Sequence, residues 1–295
     1  MGARDEDPEH TGFAHLFEHL MFGGSVNIPD YDMPLQLAGG ENNAWTNNDI
    51  TNYYLTVPRQ NVETGFWLES DRMLSLDFSE RSLEVQRGVV MEEFKQRCLN
   101  QPYGDIGHIL RPLAYQTHPY QWPTIGKELS HIAKLRWKKW RHSFFRFYAP
   151  NNAILAVTGN ISFEEAVALT EKWFGSIPRR EVPQRNLPQE QEQTEERRLT
   201  VERNVPLDSL FMAYHMPAHC HPDYYAFDIL SDVLSNGRSS RLSQRLVQQK
   251  QLFSSIDAYI SGSVDAGLFH ISGKPSAGVT LEQAEAAVRE ELDLL

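Results

Sequence analysis

The chain has 295 residues, 41% hydrophobic and 23% charged, an ordinary globular composition that is long enough for two domains with separate cores and argues against disorder. Lys and Arg number 28 against 39 Asp and Glu, a formal charge of −11, so no broad attraction to nucleic acid or anionic lipid is expected. Cys98 and Cys220 form neither a CxxC pair nor a disulfide framework. The start, MGARDEDPEHTG, has no basic and apolar leader pattern, and no apolar run is long enough to span a bilayer, so a soluble, cytoplasmic chain is expected.

Taken in chain order, FAHLFEHLM at 13–21 spaces Phe13, Leu16, Phe17, Leu20 and Met21 by three and four, the pattern of a helix with one buried face, with Thr11 as N-cap and Gly23-Gly24 as stop. ITNYYLTVP at 50–58 reads as a strand, and a helix follows over about 61–76. ERSLEVQRGVVMEEFKQR, from Glu80, spaces Leu83, Val90 and Phe94 helically and carries Glu93 on a long helix. LRWKKWRHSFFRFY at 135–148 has apolar residues at helical spacing, which predicts a packed helix with a basic outer face rather than a nucleic-acid or membrane surface. AILAVTGNI at 153–161 reads as a short strand, followed by an amphipathic helix from Ser162 to its stop at Gly175.

Residues 178–198 hold three prolines, many charges and almost no apolar residue, which is linker composition. Beyond them a strand at 207–215, helices at 223–235 and 239–250, and strands within 254–273 repeat the character of the first part. The expected fold class is therefore α+β, with tandem related domains, each a mainly antiparallel sheet flanked by helices. The expected boundaries are a first domain over 1–180, a linker over 181–199 and a second domain over 200–295.

The chemistry concentrates in His15-Leu16-Phe17-Glu18-His19. Positions four apart on a helix share a face, so His15 and His19 can present two imidazoles to one metal, and zinc suits them best. Glu18 lies close enough to reach a water on that metal without ligating it, the place for a general base. The reaction class is metal-assisted peptide hydrolysis. A second histidine cluster, His215, His219 and His221 with Cys220, has no standard ligand spacing and flanks Pro217 and Pro222, so a surface loop is expected.

HxxEH is the inverzincin pattern, and GARDEDPEHTGFAHLFEHLMFGGS resembles the active-site segment of the pitrilysin/insulinase family of zinc peptidases. The resemblance implies a third ligand, a glutamate over seventy residues downstream in an RxVILxE context. RGVVMEE supplies it with Glu93 in the ligand position and Glu92 as the runner-up. It also implies substrate binding by strand addition at an NAxT segment, matched by Asn43, Ala44, Trp45 and Thr46.

Three departures accompany the likeness. Gln86 stands where family members carry a supporting glutamate. LSNGRSSRLSQRLVQQKQLFSSI is similar to GGGxSSRLxxxIRxxxGLAYSV, but Val247 and Ser254 fall where self-sufficient members have an arginine and a tyrosine that hold the substrate carbonyl. Oxyanion donors of that kind are worth on the order of 10²- to 10³-fold in rate. The chain therefore resembles the zinc-bearing subunit of the two-subunit branch, akin to mitochondrial processing peptidase, with a peptide substrate and a related non-zinc partner, or a homodimer, supplying the pair. Finally, the chain starts at GARDE and stops in EQAEAAVREELDLL, so truncation at both ends is expected, with N-terminal strands missing and an incomplete second domain. The rival expectation is a non-catalytic assembly or binding protein of the same fold.

Overall fold

The computed structural model describes residues 1–135 and 137–295, so Arg136, within the helix expected over 135–148, lies outside the described residues. In chain order the regular elements are α1 (Phe13–Leu20), α2 (Asp32–Leu37), β1 (Glu41–Thr46), β2 (Thr51–Thr56), α3 (Val62–Ser75), α4 (Glu80–Phe94), α5 (Ile106–Ala114), α6 (Leu129–Ala133), α7 (Trp137–Phe147), α8 (Phe163–Phe174), β3 (Leu210–Met216), α9 (Tyr224–Ser235), β4 (Phe253–Ser261), β5 (Gly267–Pro275) and α10 (Leu281–Asp293). The class is α+β: small antiparallel sheets flanked by helices. No helix among the described residues is long and apolar enough to cross a membrane.

The chain divides into two compact units, Met1–Asn100 with Thr117–Gln191, and Gln101–Gln116 with Glu192–Leu295. In the first, β1 and β2 pair antiparallel with Thr46 opposite Thr51 and Asn43 opposite Tyr54. Phe13, Leu16, Phe17 and Leu20 of α1 are buried with Leu83, Val90 and Phe94 of α4 and with Ile132, Phe144 and Tyr148. Each such side chain contributes about 1.5–3 kcal/mol when fully buried, and this shared core seats α1 against α4.

In the second unit the sheet order is β3-β5-β4, all antiparallel. Met216, Leu234, Leu246, Phe253, Ile271 and Val288 are buried in its core. The helix α10 opens on a capping box in which Thr280 Oγ1 accepts from Gln283 N and Thr280 N donates to Gln283 Oε1. α5 belongs to this unit although it precedes much of the first in sequence.

Three sequence expectations are corrected. Thr11 does not cap α1: Gly12 holds the N-cap position, and the Thr11 hydroxyl instead accepts from Lys127 N at 2.7 Å and meets His131 Nδ1 at 2.9 Å. Residues 153–161 form no strand, because no neighbour among the described residues supplies a ladder, and Ile154 is 98% exposed. The helix expected over 239–250 is largely a wider π-type coil over Ser243–Gln249.

Candidate metal centre

The centre is built on two helices. α1 is only two turns long, and burial of its apolar side leaves His15, Glu18 and His19 together on the remaining face. α4 supplies Glu93 one residue before its end, beside buried Phe94 and one turn after buried Val90. Nε2 of His15 and Nε2 of His19 lie 3.3 Å apart. Glu93 Oε2 lies 3.6 Å from the first and 3.3 Å from the second.

That triangle has the dimensions of a ligand set. Donors about 2.0–2.2 Å from zinc at tetrahedral angles stand about 3.3–3.6 Å from one another. Two imidazole nitrogens and one carboxylate oxygen form a donor set that suits zinc, with a fourth position left for water or substrate. His15, His19 and Glu93 are the one group of three or more metal-capable side chains among the described residues. Glu92, the alternative ligand, points away and pairs with Lys95 at 3.2 Å.

The electrostatics agree with the geometry. Burial holds the His15 imidazolium down at about 4, outweighing the opposite pull of Glu93. His15 is therefore neutral at pH 7, as a ligand must be. Glu93 is held below the ordinary carboxylate range, first by its hydrogen bond to His19 and then by His15 and Arg97. Arg97 Nη1 sits 2.8 Å from Glu93 Oε1, on the oxygen that faces away from the histidines. His15 Nδ1 is buried without a hydrogen-bond partner among the described residues.

Of the NAxT residues, Thr46 reaches the centre: its hydroxyl donates to Glu18 Oε2 at 2.5 Å and meets Thr51 Oγ1 at 3.2 Å. Strand alternation puts Ala44 on the same side, whereas Asn43 and Trp45 face outward and are exposed. β1 has β2 on one side and no strand on the other among the described residues. In the second unit, Val247 packs against the core and the Ser254 hydroxyl donates to Lys274 O at 3.1 Å. His215, His219, Cys220 and His221 do not converge.

Sequence reasoning missed two neighbours of the centre. Arg97 was signalled by its position four residues after Glu93 on a helix. The other, Glu6, accepts from the backbone at the start of α1, from Gly12 N at 3.0 Å and Ala14 N at 2.7 Å. Its only signal was an acid upstream of a helix whose N-cap is a glycine.

The chain matches the family model described as insulinase (peptidase family M16) over residues 1–125, and that described as peptidase M16 inactive domain over residues 139–295. The zinc protease PqqE of Helicobacter pylori is 31% identical over 304 residues, covering 100% of this chain and 67% of that protein. The uncharacterized zinc protease YmxG of Bacillus subtilis is 28% identical over 297 residues, covering 100% of this chain and 71% of that protein. The crystal structure of a protease from Helicobacter pylori matches with a TM-score of 0.90 at 30% identity, covering 100% of this chain and 71% of that one.

Proposed function

Because the chain belongs to the insulinase family of peptidases, M16, we propose that it is the zinc-bearing part of an endopeptidase that hydrolyses oligopeptides or unfolded segments. The observation that carries the reading is the triangle of His15, His19 and Glu93 donor atoms with Glu18 beside it on α1. In this reading those three residues hold the metal. Bound zinc would supply Lewis acidity toward water and the scissile carbonyl. Glu18 takes the proton of the attacking water and delivers it to the leaving amine. Thr46, by donating to one Glu18 oxygen, leaves the other free for that work. Asn43, Ala44 and Trp45 line the open edge of β1, where an extended peptide adds as a strand.

The positions of Val247 and Ser254 support the further reading that a related partner subunit, or a second copy, completes the substrate site. Neither side chain offers a charged or phenolic donor, and both are engaged locally. The same observation favours the second reading, a non-catalytic member of this fold. Hydrolysis of quenched fluorescent peptides by the zinc-loaded chain, beside Glu18→Gln, separates the possibilities. Turnover lost in the variant is expected once a partner is present. Brisk turnover by the chain alone would sink the partner requirement, and silence with every related partner despite bound zinc would sink the peptidase.

A further inference from the structure

Helix α1 starts on a glycine at φ +87°, has no acidic residue in its first turn and no side-chain cap of its own. Eight residues are too few to hold a helix unaided, and the first amides of any helix need acceptors from outside it. Glu6 supplies them. One of its oxygens accepts from Gly12 N and the other from Ala14 N, so the carboxyl group bridges the helix start like a fork. It is 8% exposed, so neither amide has water as a ready substitute. Burial pushes its carboxyl up to about 8 against the pull of the Ala14 and Gly12 amides, and in either protonation state both oxygens keep lone pairs that can accept.

The segment that carries Glu6 is itself tied down. Ala3 N donates to Asn47 O at 3.1 Å, Arg4 N to Asn48 O at 2.8 Å, and Arg4 Nη1 pairs with Asp49 Oδ1 at 3.0 Å. Trp122 Nε1 donates to Ala3 O at 3.2 Å. Residues 47–49 are the turn that follows Thr46, whose hydroxyl holds Glu18. One short segment therefore grips both the helix that bears the centre and the hairpin that orients its carboxylate.

We propose that Glu6 is a positioning residue for the metal centre: it sets where α1 begins, and so where His15 and His19 stand relative to Glu93. The proposal rests on the zinc reading. It also explains why a carboxyl group, with two oxygens that can both accept, is needed. A glutamine would set its amide N–H against a backbone N–H, and an aspartate, one methylene shorter, cannot reach both amides from the same backbone.

The test is zinc affinity, by competition with a chromophoric chelator, in the whole chain and in Glu6→Gln and Glu6→Asp, well below their melting temperatures. The visible spectrum of each cobalt-substituted protein is recorded alongside. Loss of a group that supports metal ligands typically weakens binding 10- to 100-fold. Glu6→Gln is expected to fall in that range with altered cobalt bands, and Glu6→Asp between it and the parent. A folded Glu6→Gln that melts lower yet keeps parental zinc affinity and cobalt bands would overturn the proposal, leaving Glu6 a purely structural cap. If Glu6→Gln does not fold, Glu6→Asp is judged by the same two readouts. A parent chain that binds no zinc would overturn the metal reading as well, so the two failures are distinguishable.

Discussion

Two regions of this chain are rich in histidine, and they do opposite things with it. On α1 a helical turn puts His15 and His19 on one face with their Nε2 atoms 3.3 Å apart, and a second helix brings Glu93 to both. In the second unit, His215 lies on β3 against the Tyr115 ring, His219 packs on Tyr224 at 4.6 Å, and His221 sits 3.7 Å from Asp223. Four donors within seven residues converge on nothing, because a strand end followed by a proline-containing loop sends successive side chains in different directions. Density of metal-binding residue types is a poor guide to coordination; a backbone that repeats direction every four residues is a good one.

The sharpest way to break this comparison is to remove the residue that closes the first cluster. Glu93→Ala is expected to reduce zinc affinity by more than the 10- to 100-fold typical of a supporting group, while Glu92→Ala leaves it at the parental value. Chelator competition on both variants decides, and the reverse ranking would move the ligand to Glu92.

Next in size is Thr46→Val. A hydrogen bond to a charged group is worth about 1.5–3 kcal/mol, so loss of the Thr46 donor to Glu18 should lower kcat roughly tenfold or more. Zinc affinity and KM should stay near the parental values, and Thr46→Ser should restore kcat. A rise in KM with kcat intact would show instead that Thr46 touches substrate, the role its place in NAxT implies.

What was legible in the sequence follows the same division. The α1 face was readable because its apolar spacing and its His-Glu-His spacing share one period. α5 escaped notice because Gly107 and Pro112, both poor helix formers, interrupt its pattern. The run 153–161 has strand composition but no described strand beside it, and composition does not report partners. Glu93 was named through a resemblance rather than a period, since a contact between helices more than seventy residues apart leaves no local trace. Glu6 left less still: its fork to Gly12 and Ala14 spans an irregular loop.

A third prediction uses a histidine in the second unit to separate burial from ligation. His270, like His15, is held down at about 4, first by burial and then by Arg111. Its ring stacks on Tyr259 at 4.8 Å and its Nε2 meets Ser261 Oγ at 3.0 Å, with no carboxylate completing a metal set. Between pH 6.5 and 4 the unfolded chain binds a proton that the folded chain refuses, so this group's contribution falls as pH drops through that window. The loss should total about 1–3 kcal/mol after allowance for partial exposure. Urea unfolding at pH 7 and pH 4.5 should show a smaller difference in His270→Gln than in the parent; an unchanged difference would assign the acid sensitivity elsewhere.

The smallest expected effect falls on the loop cluster. His221 and Cys220 are exposed, and His219 keeps its backbone donation to Ser263 O whatever its side chain. The triple variant His219→Ala, Cys220→Ser, His221→Ala removes the ring contact with Tyr224 and the exposed contacts of His221 with Asp223, and exposed substitutions of this kind usually stay within about 0.5 kcal/mol each. Zinc stoichiometry, measured by elemental analysis after gel filtration, should remain one per chain in parent and variant. A parent that carries two ions and a variant that keeps one would show that the loop can gather its donors after all, and that convergence in a rigid frame is not required for a site to form.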